Sequence, residues 1–156
     1  MRSRGQSALY AVVLMPTLIL ILALAVDMAG LQMQKLRLRY AVDLATIAAA
    51  TRVDGPYYTR TGRLQLDPAA ATATAREYLL RNLAGMPEVA APLVIAAAAD
   101  ISIVNRTPGI DPYTGGRLDR PAICARIRVP YRFMVLGWIG ISEVDVVIAA
   151  DAEIRT

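Results

Sequence analysis

No position between Arg4 and Asp27 is charged, and Ala8 to Val26 (ALYAVVLMPTLILILALAV) is apolar almost without interruption. A helix of about 20 such residues crosses a hydrocarbon core of roughly 30 Å, so this run predicts one membrane-spanning helix. Pro16 lies inside it. A proline there removes one intrahelical hydrogen bond and bends the helix without ending it, as membrane helices tolerate. From Met28 onward the pattern becomes amphipathic. Met28, Leu31, Leu38, Val42, Ala45 and Ala49 recur at three, four or seven residues, while Gln32, Gln34, Arg37, Arg39 and Asp43 fall largely elsewhere around the helix. Nothing punctuates the chain before Asp54-Gly55-Pro56, so a single helix is expected from about Ser7 to Arg52, roughly 70 Å long. A cleaved secretory signal is the competing reading, with Arg2 and Arg4 as its charged start, Ala11 to Leu22 as its apolar run and Ala23-Leu24-Ala25 as its cleavage site. The helical pattern continues without a break past that cut.

The remaining pattern is that of a small mixed domain. Asp54-Gly55-Pro56 and the stretch Tyr57 to Arg63 read as a connecting loop. Asp67 then offers an N-cap and Pro68 a first helical residue, predicting a helix from Pro68 to Ala84 that buries Ala71, Ala75, Tyr78, Leu79 and Leu83. Gly85 and Pro87 stop it. Alternation follows in three runs: Leu93 to Asn105, with Ala99, Ile101 and Ile103 on one face; Ala122 to Phe133, with Ile123, Ala125, Ile127 and Val129; and Glu143 to Ile154, with Val144, Val146 and Ile148. Between the first two lies Arg106 to Pro121 (RTPGIDPYTGGRLDRP), whose Pro, Gly and Asp content marks a surface loop. The fold class is therefore α+β. A long N-terminal membrane-spanning helix continues into a small domain, in which one further helix lies on a three- to four-stranded antiparallel sheet.

Composition narrows the chemistry. The 156 residues carry 17 basic and 13 acidic side chains, a formal net charge of +4, with no histidine and one cysteine. Without histidine the commonest general base and metal ligand are gone, and Cys124 by itself closes no internal disulfide. Its place on an alternating strand predicts a packed, inert thiol. Asp111 and Asp119 do not have the spacing of a calcium loop, Gly115-Gly116 is a turn signal, and neither a P-loop nor a dinucleotide fingerprint can be written. Glu143 and Asp145 share the wet face of a strand. The arginines are dispersed and lack interleaved aromatics, which speaks against nucleic acid as a partner. No catalytic, cofactor-binding or metal-binding residue is expected, and no enzyme.

At its N-terminus the chain reads RGQSALYAVVLMP, followed by LALAVDMAGLQMQKLRLRYAVDLATIAAA. This resembles the TadE/TadG family of pilin-like proteins from bacterial tight-adherence, or Flp-type, pilus systems. Arg4-Gly5, Pro16, Asp27, Gly30, Lys35 to Arg39 and Asp43 to Ala50 match in order the family's basic tail, proline-bearing apolar helix, Asp with a nearby Gly, basic patch and alanine-rich stretch. The run VPYRFMVLGWIGISEVDVVIAADAEIRT resembles the family's closing hairpin. The loop from Arg106 to Pro121 has no counterpart. The resemblance implies a pilin-like fold, with residues 1–5 a short basic cytoplasmic leader, 6–52 the long helix, transmembrane in its first half, and 53–156 an extracytoplasmic α+β domain. Charge near the two ends of the span is almost balanced and orients it only weakly. The implied location is the bacterial inner membrane, with incorporation into a surface pilus. Prepilin processing would fall between Gly5 and Gln6. One departure stands out: pilin-like members carry Glu five residues after the cleavage-site Gly, and here that position is Tyr10. The departure shifts weight toward an accessory member that stays in the membrane.

On this reading the protein is a minor pilin or pseudopilin that acts by subunit association. Its expected partners are the lipid bilayer, other pilins or pilus-assembly proteins, and further copies of itself. Ala8, Ala11, Ala23 and Ala25 are the candidate helix–helix packing residues, since small side chains permit close approach. Asp27, Lys35, Arg37 and Arg39 are candidates for subunit or headgroup contact. For Asp27 the alternative is a carboxylate solvated just outside the hydrocarbon; for the basic residues it is a solvated face or pairing of Arg39 with Asp43. The alternative for the whole chain is a membrane-anchored extracytoplasmic binding module that does not polymerise and uses the Arg106 to Pro121 loop.

Overall fold

The computed structural model describes residues 3–154, with side chains except at 3–9, 11 and 139. Helix α1 runs from Ser3 to Ala50. It passes Pro16 without a break, and the Thr17 hydroxyl donates to the Val13 carbonyl at 3.0 Å, one turn back. Its most apolar stretch has a mean hydropathy of 2.4 and is only 11% buried. A core helix of that composition would be covered on most sides, so this stretch is not one. Further along, Ala23, Asp27, Leu31, Gln34, Leu38, Ala41, Val42, Ala45 and Ala49 form a buried stripe on α1, widened at its end by Thr46 and Ala50. Met28, expected on that stripe, is exposed, whereas Gln34, expected on the polar side, is buried. A spacing of 3.6 residues per turn puts Gln34 three residues after Leu31 and four before Leu38, squarely on the buried face.

Two short helices appear where the pattern suggested a loop and a strand. Helix α2, Gly55–Thr61, starts on Asp54, whose side chain accepts from the Tyr57 amide, and ends on Gly62 in the left-handed region at φ 67°. Asp, Pro and Gly are turn signals, but spaced in this way they are also a cap, a first turn and a stop. Helix α3, Pro68–Ala84, has the expected bounds and buries Ala71, Ala75, Leu79 and Leu83, but Tyr78, expected on that face, is exposed; the Asp67 carboxylate accepts from the amides of Ala69 and Ala70. Helix α4, Pro92–Ala97, replaces the first half of the expected strand, because Pro92 and the following alanines favour a helical turn over the β-branched pair Val94-Ile95.

The sheet has three antiparallel strands, β1 (Asp100–Val104), β4 (Ala122–Arg132) and β5 (Glu143–Glu153), with β4 in the middle. Asp100 faces Arg126 and Val104 faces Ala122 across the first pairing. The segment between β1 and β4 is not a bare loop. It folds into a two-stranded hairpin of β2 (Gly109–Ile110) and β3 (Arg117–Leu118). Ala49, Ala50, Leu66, Ala71, Ala75, Ile123 and Ile154 form the core on one side of the sheet, with Ile101 and Ile103 packed against it. On the other side Leu118 joins Ala122 and Cys124, with Val104 and Tyr113 against them. Both faces are therefore covered at the start of β4. All four residues Ala122 to Ala125 are buried there, and alternation resumes only beyond them.

Two compact units can be distinguished by their internal packing. One comprises the chain up to Gln34 together with Pro130–Val144. The other comprises Lys35–Val129 and Asp145–Thr156 and holds the core just described.

Candidate functional site

In the first unit, β4 and β5 are joined by a connector that contains a single 3-10 turn, Leu136–Ile139. The turn closes on Gly140, whose φ of 93° lies in the left-handed region that favours glycine. The connector is held to α1 by one carboxylate. Asp27 is 2% exposed, and its oxygens accept from three successive backbone amides: Met134 at 3.1 Å, Val135 at 3.0 Å and Leu136 at 2.7 Å. An ionised carboxylate has acceptor sites enough for three donors, and a buried one is tolerated only when they are filled. Asp27 thus caps the turn from a different element. The structure gives it three amide partners within its own chain.

One turn further, the Tyr131 hydroxyl donates to the Asp27 carbonyl at 3.3 Å. A Cβ at position 30 would lie 2.5 Å from that hydroxyl, so only glycine lets the ring come this close. Asp27 and Gly30, read in the sequence as a local pair, thus meet the hairpin more than a hundred residues later. Tyr131 and Phe133 stack edge to face, with centroids 5.2 Å apart. Reading the sequence did not mark Tyr131 or the amides of 134–136 as partners of Asp27. The available signal was an acid next to an apolar helix together with an uncharged, glycine-bearing connector.

The other candidate residues have various placements. Gly5 lies in the helical backbone, and the side chains of Gln6, Ala8 and Ala11 lie outside the described residues. Ala23 is buried on the same face as Asp27, whereas Ala25 is exposed. Lys35, Arg37 and Arg39 are exposed but do not share one face, since Arg37 projects roughly opposite the other two at 100° per residue. Arg37 is paired with Glu88, and Arg39 approaches Asp43 at 3.8 Å. Such exposed pairs contribute little to stability.

In the second unit, Asp111 is buried at the hairpin and accepts from the Tyr113 amide at 2.8 Å and from the Thr114 hydroxyl. Burial by itself would raise its pKa. Hydrogen bonds from Thr114, the Tyr113 amide and the Cys124 thiol outweigh that and hold the carboxyl below its ordinary value. Cys124 responds in the opposite sense: burial first, and then the neighbouring Asp111 charge, push its thiol up to about 12. It stays protonated and unreactive at neutral pH. The Arg106 to Pro121 segment is thus partly occupied in covering the sheet. A cavity of about 730 Å³ lies between the end of α1 and the end of β5, lined by Asp43, Ile47, Arg120, Asp151 and Glu153 among others. Among the described residues no group of His, Cys, Asp or Glu is arranged to hold a metal ion.

An exposed apolar helix of membrane length, followed by a small α+β domain, is consistent with membrane anchoring. Residues 5–52 match the Tad family model, described as "Putative Flp pilus-assembly TadE/G-like", and over that segment the resemblance read from the sequence is shown. The family description concerns pilus assembly and no catalysed reaction. The closing hairpin and the Arg106 to Pro121 segment lie outside the matched residues. No curated protein and no solved structure matches the chain.

Proposed function

We propose that this protein is a minor pilin or pseudopilin of a Tad/Flp-type pilus that acts by packing α1 against the helices of other subunits. On this reading residues 1–5 are cytoplasmic, the first half of α1 spans the inner membrane and residues 53–156 are extracytoplasmic. The observation that carries it is a second apolar stripe on α1. Met33, Leu36, Tyr40, Leu44 and Ile47 are all exposed and, at 100° per residue, fall within an arc of about 80°. That arc lies almost opposite the face buried by Leu38, Val42, Ala45 and Ala49. A helix that merely covered its own domain would be polar on the outer face. Large exposed apolar patches mark association surfaces.

The test is Leu36→Lys combined with Leu44→Lys in the native cells. The expected result is loss of copurification with pilus-assembly proteins while the chain stays in the membrane fraction. Unchanged copurification would remove the stripe from the argument. A wild-type chain that purifies alone would put the non-polymerising anchored module in its place.

A further inference from the structure

We propose that the β4–β5 connector, residues 133–142, is a second membrane contact, with Met134, Trp138 and Ile141 seated in the headgroup–acyl boundary where α1 leaves the bilayer. The proposal rests on the reading of α1 as a membrane anchor and goes beyond it, since an anchor alone leaves the connector in water.

Position comes first. The uncharged run of α1 ends at Asp27, about 28 Å along the helix from Ala8, close to the thickness of a hydrocarbon core. Asp27 therefore marks the boundary, and its carboxylate holds Met134, Val135 and Leu136 at that depth. Composition agrees. Phe133 to Ser142 (FMVLGWIGIS) contains no charge, and three of its large side chains are exposed: Met134 77%, Trp138 89% and Ile141 52%. Tryptophan concentrates at membrane–water interfaces, where its apolar body and single N–H donor are both accommodated. The charges resume at once on either side. Arg132 and Glu143 flank the connector and approach each other at 3.5 Å.

The backbone supplies an independent argument. A loop in water leaves its amides to the solvent, whereas a loop touching lipid must satisfy them internally. The amides of Met134, Val135 and Leu136 donate to Asp27. Those of Phe133, Trp138, Gly140 and Ile141 donate to the carbonyls of Ser142, Val135, Gly137 and Leu136. Exposed apolar side chains and seven amides satisfied within the protein, at the end of a spanning helix, fit a bilayer interface.

Trp138 is the only tryptophan in the chain, so its emission reports this position alone. The full-length protein would be reconstituted into phosphatidylcholine–phosphatidylglycerol vesicles. The expected result is blue-shifted emission, quenched by lipids brominated high on the acyl chain and protected from aqueous iodide. Emission as in water, quenched by iodide and not by bromolipid, overturns the proposal when alkaline washing leaves the chain in the vesicles, because the anchor then holds and the connector does not touch. Protection from iodide without bromolipid quenching also overturns it, by placing Trp138 against another protein copy. If alkaline washing removes the chain, the anchor reading fails and the proposal fails with it.

Discussion

Replacing Asp27 with alanine removes the acceptor for three amides and leaves the rest of the connector's sequence intact. Hydrogen bonds to a charged group contribute about 1.5–3 kcal/mol each, which sets a ceiling of about 4.5–9 kcal/mol for three. The effective loss is smaller, because Val135 and Leu136 are only half-buried and the opened turn reaches water at the interface, which replaces part of what the carboxylate supplied. About 1 kcal/mol per amide gives about 3 kcal/mol for local opening of the turn, and at 1.4 kcal/mol per decade this is about a hundredfold loss of protection. Hydrogen–deuterium exchange of the full-length chain in detergent reads it directly, in peptides covering 133–142, with α3 as the control because it shares no hydrogen bond with Asp27. Asp27→Asn retains one acceptor oxygen and should lose about half as much. Exchange in 133–142 that is the same in the alanine variant as in the wild type would refute the capping role and the energetic reasoning built on it.

The remaining predictions concern the span, one helix cap and the buried acid of the hairpin. Leu20→Arg places a charge in mid-span at a cost of about 2.5–3.5 kcal/mol on insertion scales and should reduce alkali-resistant membrane retention; unaltered fractionation would remove the spanning claim. Asp67→Ala takes the acceptor from the amides of Ala69 and Ala70 and should cost about 1 kcal/mol, seen as a lower Tm in detergent, and an unshifted Tm would argue against the cap. Asp111 has a folded pKa below its ordinary 3.8, so the stability it contributes is present above that value and is lost as pH falls through the folded one. Asp111→Asn should therefore destabilise by about 1–2 kcal/mol at pH 7 and by less at pH 3, below the ordinary 3.8, in chemical denaturation. An equal loss at both pH values would show that the effect is not tied to ionisation.

Much of the architecture follows from local pattern alone. The length and exposure of α1, the start of α3 at Asp67 and the strands β4 and β5 were legible because each depends on neighbours within one helical turn or on simple alternation. Errors arose where one signal serves two structures. Asp54, Pro56 and Gly62 are turn residues that here cap a short helix, and Val94-Ile95 are β-branched residues in a helix begun by Pro92. The small hairpin of β2 and β3 has the local sequence of an open loop, because its residues gain order by covering Cys124 and Ala122, which that sequence does not reveal.

The role of Asp27 lies on the other side of that division. The sequence by itself determined that an acid ends an apolar helix and that an uncharged connector joins the last two strands. Only the tertiary structure decided that the two meet, because a carboxylate has no pattern that names its donors when they are backbone amides from a distant segment. Gly30 follows the same logic. Its lack of a side chain reads as flexibility along the helix and becomes a requirement once the Tyr131 hydroxyl occupies that space. The outer stripe of Met33, Leu36, Tyr40, Leu44 and Ile47 is an intermediate case. Its periodicity was present in the sequence, but with apolar residues on both sides of one helix, the packing of the domain alone determined which side was left exposed.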